Sequence, residues 1–392
     1  MSKELDFLKY LEKHISIPEH DNSNFWMIRT YQNKFFDEFV QDQYVAIGWN
    51  YITESNIGYT SEEQAKELKK FIEDTYKEKR PQAVLNKCNR FINEIKVGDI
   101  AVIMGSHIIA FATLGEYYED NTVHTTLEKE IDFFDSESNE NNILCPYKKR
   151  RKIKVIKILP VEKVSPYLLT SIQTNHHSLS SLNNSAELIL SACFDVFKYD
   201  GKFTCTFRVQ QEKDIDSYDY SSFVYNISKF YRMIYPNEKI IIKTNVHSAG
   251  NIIFQLITTL VDKYLPLLLI YMIIFGGKIK DIQIPSVVSV IESFLDREQN
   301  KELKKLDIES KKLDIESKKL DNTNKEYDNE LKKVEVEKAK LELEKAKKSQ
   351  IENITNEIQT ASKNLEIKPI DTNIIDITNF RTENGDKKDG NI

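Results

Sequence analysis

The stretch KVGDIAVIMGSHIIAFATLGEY, Lys96–Tyr117, decides the fold. Its residues alternate, chiefly in size, from Asp99 to Met104, break at Gly105-Ser106-His107, and alternate again from Ile108 to Tyr117. Two period-two runs around a glycine-containing turn predict a β-hairpin. Gly98-Asp99, just before the first run, predicts a turn that sets its register, with a carboxylate that could also orient a pocket group. On either side, Phe25–Arg29 (FWMIR), Tyr44–Trp49 (YVAIGW) and Lys152–Leu159 (KIKVIKIL) predict further strands. Residues 61–95 predict helices interrupted at Pro81, and the polar, acidic stretch 119–146 predicts a loop excursion. The expected fold class is α+β: a small twisted β-barrel decorated with helices over residues 22–165, after an amphipathic helix in 1–21 carrying Leu5, Leu8 and Leu11.

Beyond the barrel, residues 166–211 read as a helical connector with one strand, and 212–295 as a second, smaller α+β domain. There Phe223, Ile227, Phe230 and Ile234 have helical spacing, and Glu238–Val246 is a β-branched run. The apolar stretch 252–275 reads as a buried core helix stopped by Gly276-Gly277. A membrane segment is the alternative. It is disfavoured because Asp262 and Lys263 interrupt the stretch and the unbroken part, Leu265–Phe275, falls short of the roughly 20 residues that span a bilayer.

Residues 296–363 predict a long charged helix. KKLDIES stands at 304 and again at 311, and four further sevens follow. The repeating apolar pair, as in Leu306 and Ile308, is two residues apart, about 200° around a helix, so it does not make a zipper seam. Residues 364–392 are polar and predict a disordered tail.

The 392 residues are 40% hydrophobic, which excludes a chain disordered throughout, and the net charge of −6 excludes a general polyelectrolyte binder of nucleic acid. The repeat at 301–348 holds 15 Lys and 13 Asp+Glu, so it raises the charged fraction without setting its sign. The dense basic cluster is Lys148–Lys152 with Lys154. Cys88, Cys145, Cys193 and Cys205 match no metal-ligand or CxxC spacing, so reduced thiols in a cytoplasmic protein are expected. The N-terminus has no apolar core of a secretory signal.

Trp26-Met27-Ile28-Arg29, Val45-Ala46-Ile47-Gly48-Trp49, Phe91-Ile92, Lys96–Val102 and Ala112–Tyr117 occur in an order that resembles the EVE/PUA-like superfamily of prokaryotic restriction and phage-defence proteins and, more distantly, YTH readers. The resemblance covers roughly residues 22–160. It implies a β-barrel that binds nucleic acid, often holding a modified or flipped base in an aromatic-lined pocket. The Met104–His107 hairpin does not match the family's position by position.

On that resemblance, the candidate nucleic-acid-binding residues are Trp26, Arg29, Trp49, Ser106, His107, Lys149, Arg150 and Arg151. The tryptophans serve either as stacking platforms or as core. Arg29 meets a phosphate or a base edge, or is a solvated surface residue. The basic cluster is a phosphate-contacting rim, or a loop end quenched by the acidic run 132–140. His176-His177 and Glu94-Ile95-Lys96 lack the partners a metal site requires. No catalytic residue, metal or cofactor is assigned. The expected function is a non-enzymatic nucleic-acid-binding, modified-base-sensing protein of a bacterial defence system, with nucleic acid, a second copy through the long helix and a neighbouring effector as partners. A protein-interaction scaffold and an effector acting at a membrane through 252–275 are the alternatives.

Overall fold

The structure is a computed structural model that describes residues 17–369, except 32, 59–60, 127–129, 131–143, 175–176, 212–213, 246–249, 258–265, 268–269, 272–273 and 275–325. The expected N-terminal helix, most of the acidic excursion, the first part of the long helix and the tail from 370 lie outside the described residues. Contacts divide the chain into two compact units, 22–194 with 371–392, and 195–370 with 1–21.

The first unit is built on a curled half-barrel sheet of six strands: β1 (Phe25–Arg29), β2 (Tyr44–Ile47), β3 (Ile100–Met104), β4 (Ile108–Glu119), β5 (Lys149–Pro160) and β6 (Leu179–Ser181). Their order is β2-β5-β4-β3-β1-β6. β1 runs parallel to β3 and the other neighbours are antiparallel. The ladders join no β2 to β6 among the described residues, so the expected twisted β-barrel is here a curled half-barrel. The boundary expected near residue 165 also moves. β6 pairs with β1, so the unit continues through Phe194.

Four helices accompany the first strands: α1 (Phe36–Gln41), α2 (Glu54–Ile57), α3 (Glu62–Tyr76) and α4 (Pro81–Asn89). Ser61 caps α3 by accepting the Gln64 N–H, and Pro81 stands in the first turn of α4, where its missing N–H has no intrahelical partner to lose. α4 runs into a wider π turn, Arg90–Glu94. Trp26, Ile28, Ala101, Ile103, Ala110 and Ala112 share one core with Phe36, Phe39, Leu68, Ile72, Leu85 and Phe91. The alternate residues Phe25, Met27, Ile100, Val102, Ile109 and Phe111 are buried as well. The central strands are therefore covered on both faces, which explains their near-continuous apolar sequence. After β5 come α5 (Pro166–Gln173) and α6 (Ala186–Cys193), which bury Leu168, Ile172, Ile189 and Leu190.

The second unit holds β7 (Val196–Tyr199), β8 (Lys202–Val209), α7 (Ser217–Ile234), β9 (Ile240–Asn245), β10 (Gly250–Leu256), α8 (Glu326–Asn364) and β11 (Ile367–Lys368). The sheet runs β11-β8-β10-β9, with β7 on β8 as well. Asp200 and Gly201, both at positive φ, form the two-residue turn between β7 and β8.

Two expectations are corrected here. Residues 252–256 begin no helix: Ile252, Phe254 and Leu256 point into the core from a strand held between β8 and β9. A short apolar run suits either state, and pairing on both sides decides it. The tail is not disordered from 364, because Leu365 and Ile367 are buried and β11 pairs with β8. Among the described residues, no helix is long and apolar enough to cross a membrane.

Candidate functional site

The half-barrel places seven of the eight candidate residues at two ends of its longest strands, and Trp26 between them, in register with Ala101 and Ala112. Arg29 pairs with Met104, which leads into Ser106 and His107 at the start of β4. Lys149, Arg150 and Arg151 pair with Glu119, Tyr118 and Tyr117 at the finish of β4. The 12 residues of β4 span roughly 35 Å of strand, so one pocket does not gather both sets. Ser106 and His107 are exposed, and Arg29 is half-buried with its guanidinium donating to the Ile172 carbonyl at 3.4 Å.

Trp26 is structural. Its indole N–H donates to Asp99 at 2.8 Å, and the same buried carboxylate accepts the Asn24 and Lys96 N–H groups at 2.9 and 3.0 Å. The Gly98-Asp99 turn, with Gly98 at φ +97, thus locks β1 onto β3, and the buried Trp26 ring is no platform for a base.

The basic cluster is also not an exposed rim, because its odd-numbered residues point inward. Arg151 is buried and donates to the Phe91, Ile92 and Gly115 carbonyls at 2.6, 2.8 and 2.9 Å. It satisfies carbonyls that the π turn leaves unpaired. Arg150 lies 4.1 Å over the Tyr44 ring, ion-pairs with Asp120 at 2.7 Å and donates to the Tyr147 carbonyl. Only Lys152 and Lys154 of the run are exposed.

Lys149 is different. It is 0% exposed, and its ammonium donates to the Trp49 carbonyl. Around it stands a polar cluster in an aromatic setting. Glu130, also 0% exposed, accepts the Asn50 N–H at 3.0 and 3.2 Å and the Tyr76 hydroxyl at 3.0 Å. Burial raises the pKa of Glu130, opposed by the Asn50 N–H and the Lys149 charge, while burial lowers that of Lys149. Beneath them the Cys88 thiol is pushed up to about 11, first by burial.

The turn after β2 builds this cluster. Trp49 has φ +59, an uncommon conformation for a bulky residue, and its indole N–H donates to Glu78 at 3.2 Å with Lys87 5.3 Å over the ring. The Asn50 side chain ties the turn to the start of β5, donating to the Pro146 carbonyl and accepting the Lys148 N–H, both at 2.8 Å. Trp49 thus lines the site, but Lys87 lies over its ring. The accessible aromatic surface belongs to Tyr51, 49% exposed and stacked on Phe71 of α3 with ring centroids 3.8 Å apart. Its N–H donates to the Tyr76 oxygen at 3.3 Å, which links it to Glu130. Tyr51, Tyr76, Glu130 and Asn50 are absent from the sequence-derived set. They come from a turn, a helix end and the acidic excursion, and no spacing rule joins those.

Among the described residues, no group of three or more His, Cys, Asp or Glu is placed to hold a metal ion. No curated protein and no solved structure matches the chain. A family model described as a domain of unknown function, DUF8426, matches residues 26–158, from the start of β1 to near the end of β5, and so takes in both ends of β4 and the whole Trp49–Lys149 cluster.

Proposed function

We propose that the half-barrel unit is a PUA-like, non-enzymatic nucleic-acid-binding module that takes a nucleotide at the β2–β5 end, and that it serves a modified-base-sensing role in a bacterial defence system. The observation that carries this reading is the Tyr51–Phe71 stack, an accessible aromatic face beside a buried lysine and carboxylate. A base has a π face for Tyr51 and polar edges for hydrogen-bonding groups beside it. Lys152 and Lys154, exposed on the outward face of β5, offer charge to a backbone. The restriction and defence setting rests on the resemblance of the strand and Gly-Trp, Gly-Asp pattern alone.

Fluorescence anisotropy with labelled oligonucleotides, single- and double-stranded, unmodified and methylated, tests the reading. Tyr51→Ala is expected to weaken binding about ten-fold or more, since a stacked base contributes roughly 1–3 kcal/mol. Trp26→Phe is expected to leave affinity unchanged. No binding by the wild type, or equal binding by Tyr51→Ala, removes the reading.

A further inference from the structure

We propose that the Trp49-Asn50 turn, Tyr76 and Lys149 form a phosphate site, and that Glu130 is its built-in occupant, displaced when a phosphate-bearing ligand arrives. Three observations converge. First, two donors meet on one point away from water: the Asn50 N–H at 3.0 and 3.2 Å and the Tyr76 hydroxyl at 3.0 Å both serve the Glu130 carboxylate. Second, Trp49 has a left-handed backbone, φ +59, directly before the Asn50 N–H that serves the carboxylate, and a turn with a left-handed residue is the backbone form that makes anion-binding nests. Such a nest is a general cradle for anions, and strain of this kind collects at functional sites.

Third, the occupant leaves the buried ammonium of Lys149 without a direct ion pair. Among the described residues, the one hydrogen bond from the Lys149 ammonium goes to the Trp49 carbonyl, and Lys149 and Glu130 form no ion pair within 4.0 Å. An ammonium has three donors, so two are left over in a fully buried position. A planar carboxylate offers them one charge, whereas a tetrahedral phosphate brings more oxygens and a second charge to meet them. Tyr51 then sits one hydrogen bond away, through Tyr76, so a base on its ring and a phosphate in the nest belong to one ligand.

This deepens the nucleic-acid reading by naming the group the cluster holds. The phosphate comes either from a nucleic-acid strand or from a free phosphate or nucleotide, and the two are separable. Calorimetric titration of the full chain with inorganic phosphate, a 5′-phosphorylated oligonucleotide and its 5′-hydroxyl counterpart is the test. Glu130→Gln keeps the shape and removes the charge, and is expected to bind phosphate at least about ten-fold more tightly than the wild type, a gain of about 1.4 kcal/mol. Adding Lys149→Met is expected to abolish that gain. A folded Glu130→Gln variant that binds phosphate no more tightly overturns the inference.

If Glu130→Gln does not fold, the wild type decides. Saturable phosphorus-31 line broadening in millimolar phosphate, lost in Lys149→Met, supports the site, and its absence overturns it. Preference for the phosphorylated oligonucleotide identifies a strand as the source, and a gain with inorganic phosphate alone identifies the free anion. Oligonucleotide binding that ignores both Glu130 and the phosphate overturns this inference and leaves the nucleic-acid reading standing. Phosphate binding without oligonucleotide binding does the reverse.

Discussion

Asp99 holds three donors on one buried carboxylate: the Trp26 indole and the Asn24 and Lys96 amides. Asp99→Ala leaves all three without an acceptor in the core and is expected to cost about 3–5 kcal/mol, read as a lower urea midpoint of tryptophan fluorescence. A midpoint within the wild-type error would show that these bonds are dispensable. Glu130 gives a pH signature of opposite sign to that of an ordinary carboxylate. Its folded pKa is raised above the ordinary 4.5, chiefly by burial, so the native state binds the proton more tightly than the unfolded chain. That contribution is complete below 4.5 and is lost as pH rises through the raised value. Urea midpoints of wild type minus Glu130→Gln should therefore fall with increasing pH across this window, and a flat or rising difference contradicts the burial argument. Why such residues escape a sequence reading is visible in β5. Period-two alternation separates Lys149, Arg151 and Ile153 from Arg150, Lys152 and Lys154, but only the π turn at 90–94 and the Trp49 turn decide which set faces inward. Charge predicts solvent by default, and here carbonyls that need donors outweigh it.

Among the elements, α8 changes character along its length. The seven-residue repeat ends by 348. From there Ile351, Ile354, Ile358, Ala361 and Leu365 recur at three- and four-residue spacing, and all are buried in one core with Phe223, Ile227 and Phe230 of α7. Ile358→Ala is expected to cost about 2–4 kcal/mol in the second unit, followed by far-UV circular dichroism in urea. Leu343→Ala, at a position 55% exposed, is expected to stay within about 0.5 kcal/mol. Equal effects would mean that the repeat side of the helix is also packed. Local pattern carries most elements of the half-barrel, since the β3–β4 hairpin, the start of α4 at Pro81 and the strands β1, β2 and β5 each have their own sequence signal. It fails where pairing decides. Three-residue β6 and two-residue β11 are too short to show a period, and Gly250–Leu256 becomes a strand only because β8 and β9 flank it.

For the whole molecule, two cores mean two reporters. Trp26 and Trp49 lie in the half-barrel unit with Cys88, Cys145 and Cys193, whereas Cys205 lies in the second unit. All four thiols are buried, and burial pushes Cys88 up to about 11, Cys145 up to about 12 and Cys205 upward. Two barriers therefore protect Cys88, Cys145 and Cys205 near pH 8: little thiolate forms, and no reagent reaches it without opening. In a chain retaining Cys205 alone, labelling by a thiol-reactive disulfide reagent should report opening of the second unit, while tryptophan fluorescence reports the first. A domain with its own core can in principle fold alone. Asp99→Ala is then expected to lower the fluorescence midpoint and leave the urea dependence of Cys205 labelling where it was, and Ile358→Ala is expected to do the opposite. If both readouts shift together in either variant, the two cores unfold as one cooperative unit, and ligand capture at the Trp49–Lys149 end would then stabilise α8 as well. If they shift separately, each core unfolds on its own, and stability gained at the Trp49–Lys149 end stays within the half-barrel unit.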